Sequence, residues 1–401
     1  RAHGLCDAGV LVGGLRARTP AAAGPAADGE RVETFARRFA EFQNAAFGVA
    51  CANGTVALEM ALVASGIGAG DEVIVPPYTF MASASAVLTA NAVPVFADIE
   101  ADTLNLDPGA IEAALTPRTR AILPVHFGGH VGDMDRIGAI ARRHGLKIIE
   151  DAAHGWGAQW RGRGAGAVGD AGGFSFQLSK NMTSGEGGIM LTNDPGLAER
   201  AWSYHHIGRT RTGRWYEHPC LGTNYRMTEF QAAILLCQLE RLPGHIERRE
   251  AGTALLARRL AAIPGVRLPR RDPRVTRRSW HLFDVFFVPE RWEGATRAQF
   301  LAALNAEGVP ALGGYEWPLY RNELFLKIAA GKAGCPFTCP YRGADPPAYE
   351  RLNLPNAERA CQTVIWLPHP LLLAPADDLR HIADAFEKLW EHRAELRSVK
   401  V

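Results

Sequence analysis

Residues 134–155 read MDRIGAIARRHGLKIIEDAAHG. The apolar spacing predicts a helix over Met134–His144, and Gly145 is its expected C-cap. A strand over Leu146–Ile149 follows and leads into Asp151. Ligands of open α/β sheets collect at the carboxyl ends of strands, so Asp151 is a candidate site residue. An aspartate here also suits an N-cap of the next turn, and that alternative stays open.

Helices and short apolar runs alternate through the first half of the chain. A helix is expected from Thr55 to Leu62, with Asn53 as its cap. The other strand candidates are Glu72–Val75, Val93–Phe96, Ala121–Val125, Phe174–Phe176 and Ile189–Thr192. Such alternation is typical of an α/β domain whose mostly parallel sheet is covered on both faces.

The pattern changes at Thr228, where a capping box begins a long helical stretch. This stretch is expected to be interrupted at Pro243–Gly244 and to resume to about Ala262. The elements expected after it are a strand (His281–Val288), a helix begun at Thr296, a strand (Val364–Leu367) and a terminal helix from Pro375 to about Leu396. We therefore expect an N-terminal arm (1–30), a large domain (31–250) and a small C-terminal α+β domain (251–401).

Composition excludes several classes of protein. The chain has 401 residues, with 44 Lys and Arg against 42 Asp and Glu, so its net charge of +2 gives no general attraction to nucleic acid or to an anionic membrane. No apolar run approaches the ~20 residues of a membrane span, and no signal peptide is visible, so a cytoplasmic protein is expected. Seven cysteines make a disulfide framework improbable. The pair Cys335 and Cys339 lacks a second pair at matching spacing, so no metal site is predicted.

A lysine and a glycine-rich turn form the second candidate feature, in GFSFQLSKNMTSGEGG (173–188). Lys180 stands between a short aromatic strand and the turn. A lysine held inside a cleft loses its proton more easily than a surface lysine, which is what imine chemistry requires. A solvated surface lysine is the ordinary alternative.

The third feature is Asn53-Gly54-Thr55 at a helix start. Free N–H groups and the positive helix end favour a phosphate, although many helices begin this way without a ligand. Pyridoxal phosphate needs a lysine imine, a carboxylate beside the pyridine nitrogen and an anion cradle. Lys180, Asp151 and this turn together predict that cofactor.

Four motifs resemble the DegT/DnrJ/EryC1/StrS aminotransferases: SFQLSKNMTSGEGG (175–188), EDAAHGWGAQWRGRGAGAVGD (150–170), CANGTVALEMAL (51–62) and VIVPPYTFMASA (73–84). The resemblance covers roughly residues 31 to 401. It implies the aspartate-aminotransferase (type I) fold, in which a mostly parallel sheet of the seven-stranded type forms the large domain. It also implies pyridoxal 5'-phosphate as cofactor and keto-sugars or cyclitols as substrates. In motif form the chain looks closest to the inosose aminotransferase and 3-amino-5-hydroxybenzoate synthase branch.

The resemblance assigns roles around the cofactor ring. Lys180 matches the imine lysine, and Asp151 matches the partner of the pyridine nitrogen. His154 matches a position near the 3-hydroxyl, and Phe80 matches the aromatic residue stacked on the ring. Core packing of Phe80 and a packed surface position for His154 are the alternatives.

The resemblance also assigns the phosphate site. Gly54, Thr55 and Ser175 match its ligands, although Ser175 could bond only a strand neighbour. Asn224 matches an asparagine that reaches the phosphate from the neighbouring subunit, which implies a homodimer with two shared sites.

Substrate contacts are less specified by the resemblance. Tyr320 could face the substrate or pack in the core, and Tyr225 and His206 are candidates near the dimer cleft. No match links the loop 205–216 to one substrate.

Three functions remain open. The first is transfer of an amino group from glutamine or glutamate to a ketocyclitol or keto-sugar, in antibiotic-type secondary metabolism. The second is an aromatising dehydratase of the aminohydroxybenzoate type. The third is a cofactor-bound regulatory protein without turnover. Relatives with histidine in place of the lysine are 3-dehydratases, and Lys180 removes that possibility.

One further motif fits a dinucleotide-binding pattern by letter only. Gly164 to Gly169 reads GAGAVG, but it follows a polar turn and leads into a strand. A dinucleotide site needs a strand before the motif and a helix after it, so the sequence does not favour a dehydrogenase.

Overall fold

The computed structural model describes residues 28–328, 334–343, 345 and 347–401. Residues 1–27 of the expected N-terminal arm (1–30) therefore lie outside the described residues. No helix among the described residues is both long enough and apolar enough to cross a membrane.

A seven-stranded sheet forms the first half of the structure. Its strands in chain order are β1 (Phe47–Cys51), β2 (Glu72–Val75), β3 (Val93–Phe96), β4 (Thr119–Ile122), β5 (Lys147–Asp151), β8 (Ala171–Ser175) and β9 (Gly188–Thr192). Their spatial order is β1-β9-β8-β5-β4-β2-β3. Only β9 runs against its neighbours, so the sheet is mostly parallel, as the sequence predicts. The central strand β5 brings Asp151 to the carboxyl edge of the sheet.

Helices cover both faces of this sheet. They are α1 (Glu30–Phe42), α2 (Gly54–Ala64), α3 (Ala82–Thr89), α4 (Pro108–Ala114), α5 (Met134–His144) and α6 (Pro195–His205). One core lies on each face: α1 contributes Phe35 and Phe39 to the first, and α2 contributes Leu58 and Met60 to the second. Because α2 is buried almost all round, it has no polar face, and its start at Gly54 is held against the sheet.

The long helix α7 (Glu229–Leu260) corrects one expectation. The interruption predicted at Pro243–Gly244 is wrong, because the helix continues through both residues. Packing explains this: Leu242 is buried in the core beside the large sheet, whereas Leu256 is buried in the C-terminal core. Tertiary burial at both ends outweighs the roughly 3 kcal/mol that an interior proline costs. The proposed boundary between residues 250 and 251 falls inside this helix, and the division into domains stays a prediction.

A smaller antiparallel sheet and the remaining helices form the C-terminal part. The sheet has the order β10-β12-β13, from β10 (Val266–Arg267), β12 (Leu282–Phe287) and β13 (Val364–Pro368). The helices are α8 (Arg297–Ala306), α9 (Glu323–Lys327), α10 (Pro355–Thr363) and α11 (Ala376–Glu391). The predicted terminal helix is too long at its end, since Arg393–Ser398 forms a 3-10 helix.

A third, three-stranded sheet has the order β11-β6-β7, from β6 (Gln159–Trp160), β7 (Arg163–Gly164) and β11 (Val275–Arg277). The glycine-rich loop that follows β7 wraps an internal carboxylate. Backbone N–H groups of Gly166, Val168 and Gly169 donate to Glu150 at 2.8, 2.8 and 2.6 Å. The same carboxylate lies 2.7 Å from Nε2 of His126. In this chain the residues that fit the dinucleotide pattern therefore form a loop that binds the Glu150 carboxylate.

Candidate active site

Asp151 is oriented by hydrogen bonds to both carboxylate oxygens. Ser83 Oγ on α3 donates to Oδ2 at 2.6 Å, and the backbone N–H of Ala153 donates to Oδ1 at 3.1 Å. Thr79 Oγ1 lies 2.9 Å from Ser83 Oγ and extends the chain of polar contacts. The side chain is buried. A buried, oriented carboxylate at a strand end can hold a proton on a ring nitrogen brought against it.

Lys180 lies in the loop between the neighbouring strand β8 and β9. Burial lowers the pKa of Lys180 to about 8, and the attraction of the Asp151 carboxylate opposes part of that shift. Its Nζ lies 5.9 Å from the centroid of the Trp156 ring. At neutral pH a lysine with this pKa yields its free amine far more readily than a surface lysine. The structure thus brings Lys180 and Asp151 together, as the sequence predicts.

The lysine loop is anchored to the C-terminal part of the chain. Asn181 Nδ2 donates to the Ser279 carbonyl at 2.8 Å, and Asn181 Oδ1 lies 2.9 Å from Nδ1 of His281. His369 Nε2 lies 3.1 Å from the Ser179 carbonyl. These contacts fix the backbone on both sides of Lys180.

His154 is partly buried next to the lysine, and its imidazole is neutral. Burial, together with the positive charge of Lys180, holds the pKa of His154 well below its usual range. Its Nδ1 accepts the N–H of Gly128 at 3.3 Å, so the single proton is on Nε2. The ring packs against that of His281 with 4.0 Å between centroids and an angle of 33° between the ring planes. His154 therefore presents one N–H donor, which suits a phenolic oxygen such as the cofactor's 3-hydroxyl.

The start of α2 forms an anion cradle with Ser175. The Asn53 side chain accepts the N–H of Val56 at 3.0 Å and caps the helix, whereas the N–H groups of Gly54 and Thr55 have no intrahelical acceptor. A Cβ at Gly54 would lie 2.6 Å from the Cβ of Ser175, so only glycine permits this approach. Free helix N–H groups beside two hydroxyls fit a phosphate. The residues that are present therefore fit pyridoxal phosphate.

Two predicted site residues are exposed in the single chain. The Phe80 ring is 65% exposed, which argues against core packing. Asn224 is exposed in a segment that bridges to His206 in antiparallel fashion. Neither residue is brought to the Lys180 pocket by a contact within the described chain. Both are placed where a bound molecule or a second subunit can reach them.

The three candidate substrate residues have other contacts. Tyr320 is fully buried and its hydroxyl donates to Glu358 at 2.7 Å, which favours the core-packing alternative. The Tyr225 hydroxyl donates to Glu59 at 3.3 Å. His206 is buried and stacks on Trp202 with 4.7 Å between ring centroids.

Several residues of the site were not predicted from the sequence. Ser83 stands four residues after Thr79, a spacing that places both on one side of a helix start, but nothing in the sequence ties Ser83 to Asp151 68 residues later. Ser279 and His281 reach the site from the C-terminal part. Only the fold brings these two residues beside Lys180, so no local motif predicts their role.

The pattern of the DegT/DnrJ/EryC1/StrS aminotransferase family matches residues 17–387. The chain belongs to this family. A protein of Streptoalloteichus tenebrarius with the provisional name L-glutamine:3-amino-2,3-dideoxy-scyllo-inosose aminotransferase is 43% identical over 367 residues, which are 90% of this chain and 87% of that protein. The L-glutamine:2-deoxy-scyllo-inosose aminotransferase of Streptomyces kanamyceticus is 39% identical and covers 95% of this chain and 91% of its own length.

Solved structures of family members agree with the fold. The crystal structure of 3-amino-5-hydroxybenzoic acid synthase superposes with a TM-score of 0.79 at 37% identity and covers 90% of this chain and 91% of its own. The crystal structure of a protein from Bacillus subtilis with bound cofactor PMP superposes with a TM-score of 0.76 at 28% identity and covers 91% of this chain and 78% of its own. The chain is an aminotransferase of the type I fold, and its cofactor is pyridoxal 5'-phosphate.

Proposed function

We propose that the protein transfers the amino group of glutamine or glutamate to the ketone carbon of a cyclitol or keto-sugar, in the biosynthesis of an aminoglycoside-type antibiotic. The observation that carries the proposal is the meeting of Lys180, Asp151 and the Gly54–Ser175 cradle at one edge of the sheet. The curated relatives that use L-glutamine and inososes support the substrate class.

Each residue has a task in this reaction. Pyridoxal phosphate, when bound, supplies an aldehyde that captures amines and a ring that withdraws electrons. The Gly54 and Thr55 N–H groups and Ser175 Oγ would hold its phosphate. The Asp151 carboxylate, oriented by Ser83, would keep the ring nitrogen protonated.

Proton transfer is assigned to Lys180. Its Nζ, whose pKa burial lowers to about 8, would take a proton from the donor Cα in the first half of the reaction and would deliver a proton to the acceptor carbon in the second half. His154 would present Nε2–H to the 3-hydroxyl oxygen of the cofactor. Burial and the positive charge of Lys180 both lower the pKa of His154, so this imidazole stays neutral.

A second copy of the chain is expected to complete the site. Phe80 is 65% exposed, and Asn224 is exposed as well. Within the described chain, no contact brings either residue to the Lys180 pocket. We propose that the protein is a homodimer in which Asn224 of each subunit reaches the phosphate bound by the other. A C2 dimer is also the commonest oligomer.

Mass spectrometry of products tests the function. The protein with pyridoxal phosphate and glutamine is incubated with a panel of ketocyclitols and nucleotide keto-sugars, and one class should gain an amine. Lys180→Ala is the control and should lose at least about a hundredfold in turnover, because it removes the base. Unchanged turnover of Lys180→Ala would refute the proposal.

A second candidate reaction is aromatising dehydration of a cyclic aminoketone. The 37% identity to a solved 3-amino-5-hydroxybenzoic acid synthase favours keeping it in the test. Lys180 would again remove a proton, but the product would have lost water rather than gained an amine. The same mass spectra distinguish the two reactions.

A further inference from the structure

A cavity of about 760 Å³ lies between α7 and the segment 271–280, apart from the residues of the cofactor site. Ile246, Ala251 and Ala254 of α7 form one wall, and Val275 forms part of the other. A volume of this size holds a small organic molecule. Two buried nitrogen donors, on His130 and Arg278, line the same cavity.

Arg278 is a buried cation without a hydrogen-bonded partner in the part of the chain that the structure describes. Its side chain is 8% exposed, its Nε–H has no acceptor, and its guanidinium lies 3.8 Å from the centroid of the Trp280 ring. Asp284 and Glu250 attract it from a distance, but neither forms an ion pair with it. A buried charge in this state is costly unless an anion accompanies it.

His130 contributes a second donor whose proton can be placed. Asn105 Oδ1 accepts the N–H of Phe127 at 3.0 Å, which fixes the amide and turns Nδ2 toward Nδ1 of His130 at 3.0 Å. Nδ1 therefore accepts a hydrogen bond, and the proton of the neutral ring is on Nε2. Burial and the charge of Arg278 hold the pKa of His130 well below its usual range, so the ring is neutral. Its Nε2–H has no acceptor among the described residues.

The other charged groups around the cavity are mostly engaged. Asp272 binds Arg274 at 2.7 Å, and Glu250 accepts the indole N–H of Trp280. Arg271 and Arg277 add positive charge to the lining, and Glu247 is an exposed acid on α7. The unpaired buried nitrogens of the lining residues Arg278 and His130 are therefore both donors. A ligand that satisfies them must carry acceptor oxygens and a negative charge.

We infer that this cavity binds a small oxyanion, whose oxygens accept hydrogen bonds from Arg278 and His130 and whose apolar body lies along Ala251 and Ala254. A carboxylate is the favoured head group, because one planar head can accept both N–H groups while the guanidinium stays on the Trp280 ring. The inference does not depend on the amino-transfer reaction.

Calorimetric titration tests the inference with the full chain. Pyridoxal phosphate is first fixed by borohydride so that the phosphate cradle is filled, and benzoate or inorganic phosphate is then added. The expected result is saturable binding of benzoate at one site per chain. Inorganic phosphate binding in place of benzoate would still support an oxyanion site and would assign a phosphate head group.

Two variants separate the site from general charge effects. Arg278→Gln should weaken binding by about tenfold or more, because a charge-assisted hydrogen bond is lost. Arg258→Gln removes the same charge from an exposed side chain of α7 that does not line the cavity, and it should change affinity by less than about threefold. Benzoate should also raise the melting temperature of the parent protein and leave that of Arg278→Gln unchanged. A cooperative melting transition of Arg278→Gln shows in the same measurement that the variant is folded.

Three results would overturn the inference. They are absence of saturable binding of both anions, equal binding by the parent and Arg278→Gln, and equal loss in Arg258→Gln and Arg278→Gln. An experimental structure with residues 1–27 or a second copy bonded to Arg278 would overturn it as well.

Discussion

Lys180 combines two opposing influences on one amine. Burial lowers its pKa to about 8, and Asp151 raises it. The amine must be neutral to capture an aldehyde, so capture of pyridoxal phosphate by the apoprotein should accelerate as pH rises and level off above about 8. Asp151→Asn should move this midpoint downward, since the attraction that favours the charged lysine is lost. Stopped-flow absorbance against pH measures both, and a midpoint near the ordinary lysine value of 10.5 would contradict the account.

A substitution of Gly54 tests the phosphate cradle formed by the start of α2 and Ser175. A Cβ there would lie 2.6 Å from the Ser175 Cβ, so Gly54→Ala must push the helix start away from β8. We expect the dissociation constant of pyridoxal phosphate to rise by about tenfold or more, from a strain of about 1–3 kcal/mol. Gly244→Ala is the matched control, because that Cβ meets nothing within 4 Å. It should leave cofactor affinity unchanged and stabilise the helix by up to about 1 kcal/mol. Equal cofactor affinity in both variants would argue against the cradle.

At the scale of elements, the loop after β7 has the glycine pattern of a dinucleotide site but binds a carboxylate of the protein itself. Glu150 accepts three backbone N–H groups from this loop and faces His126. Either orientation of an amide at position 150 would place an NH₂ group against N–H donors. We therefore expect Glu150→Gln to lower the free energy of unfolding by about 1–3 kcal/mol, measured by urea denaturation. A variant as stable as the parent would show that these bonds contribute little.

Element prediction from sequence worked where local signals and burial agree. The helix Met134–His144 and the strands β2 and β3 have the predicted bounds. Caps mark the ends of the helix, and two prolines follow β2. β4 was predicted as Ala121–Val125 but is Thr119–Ile122, since its apolar run continues past the pairing into buried loop residues. The continuity of α7 through Pro243 could not be read locally, because it depends on two cores separate in sequence.

The same limit applies to the site. Lys180, Asp151 and Gly54 lie at strand ends or turns beside one sheet, so they could be predicted from local features and the alternation of elements. Ser175 was predicted only from the family resemblance. The anchors Ser279 and His281 come from residues about 100 positions later and depend on how the C-terminal part packs. Such packing cannot be predicted from the local sequence.

At the scale of the whole molecule, shared sites make a distinct prediction. Lys180→Ala and Asn224→Ala should each be impaired as pure proteins. After the two are unfolded and refolded together, half of the dimers are mixed, and each mixed dimer has one intact site, so activity should recover to about a quarter of the parent value. Activity equal to the mean of the two separate variants would contradict a shared site.

The central claim is that Lys180 carries the cofactor. The most direct measurement is borohydride reduction of the protein loaded with pyridoxal phosphate, followed by peptide mass spectrometry. The account predicts a phosphopyridoxyl group on Lys180 and none on Lys180→Ala. An unmodified Lys180 in a protein that retains the cofactor, or an adduct on another lysine, would contradict it.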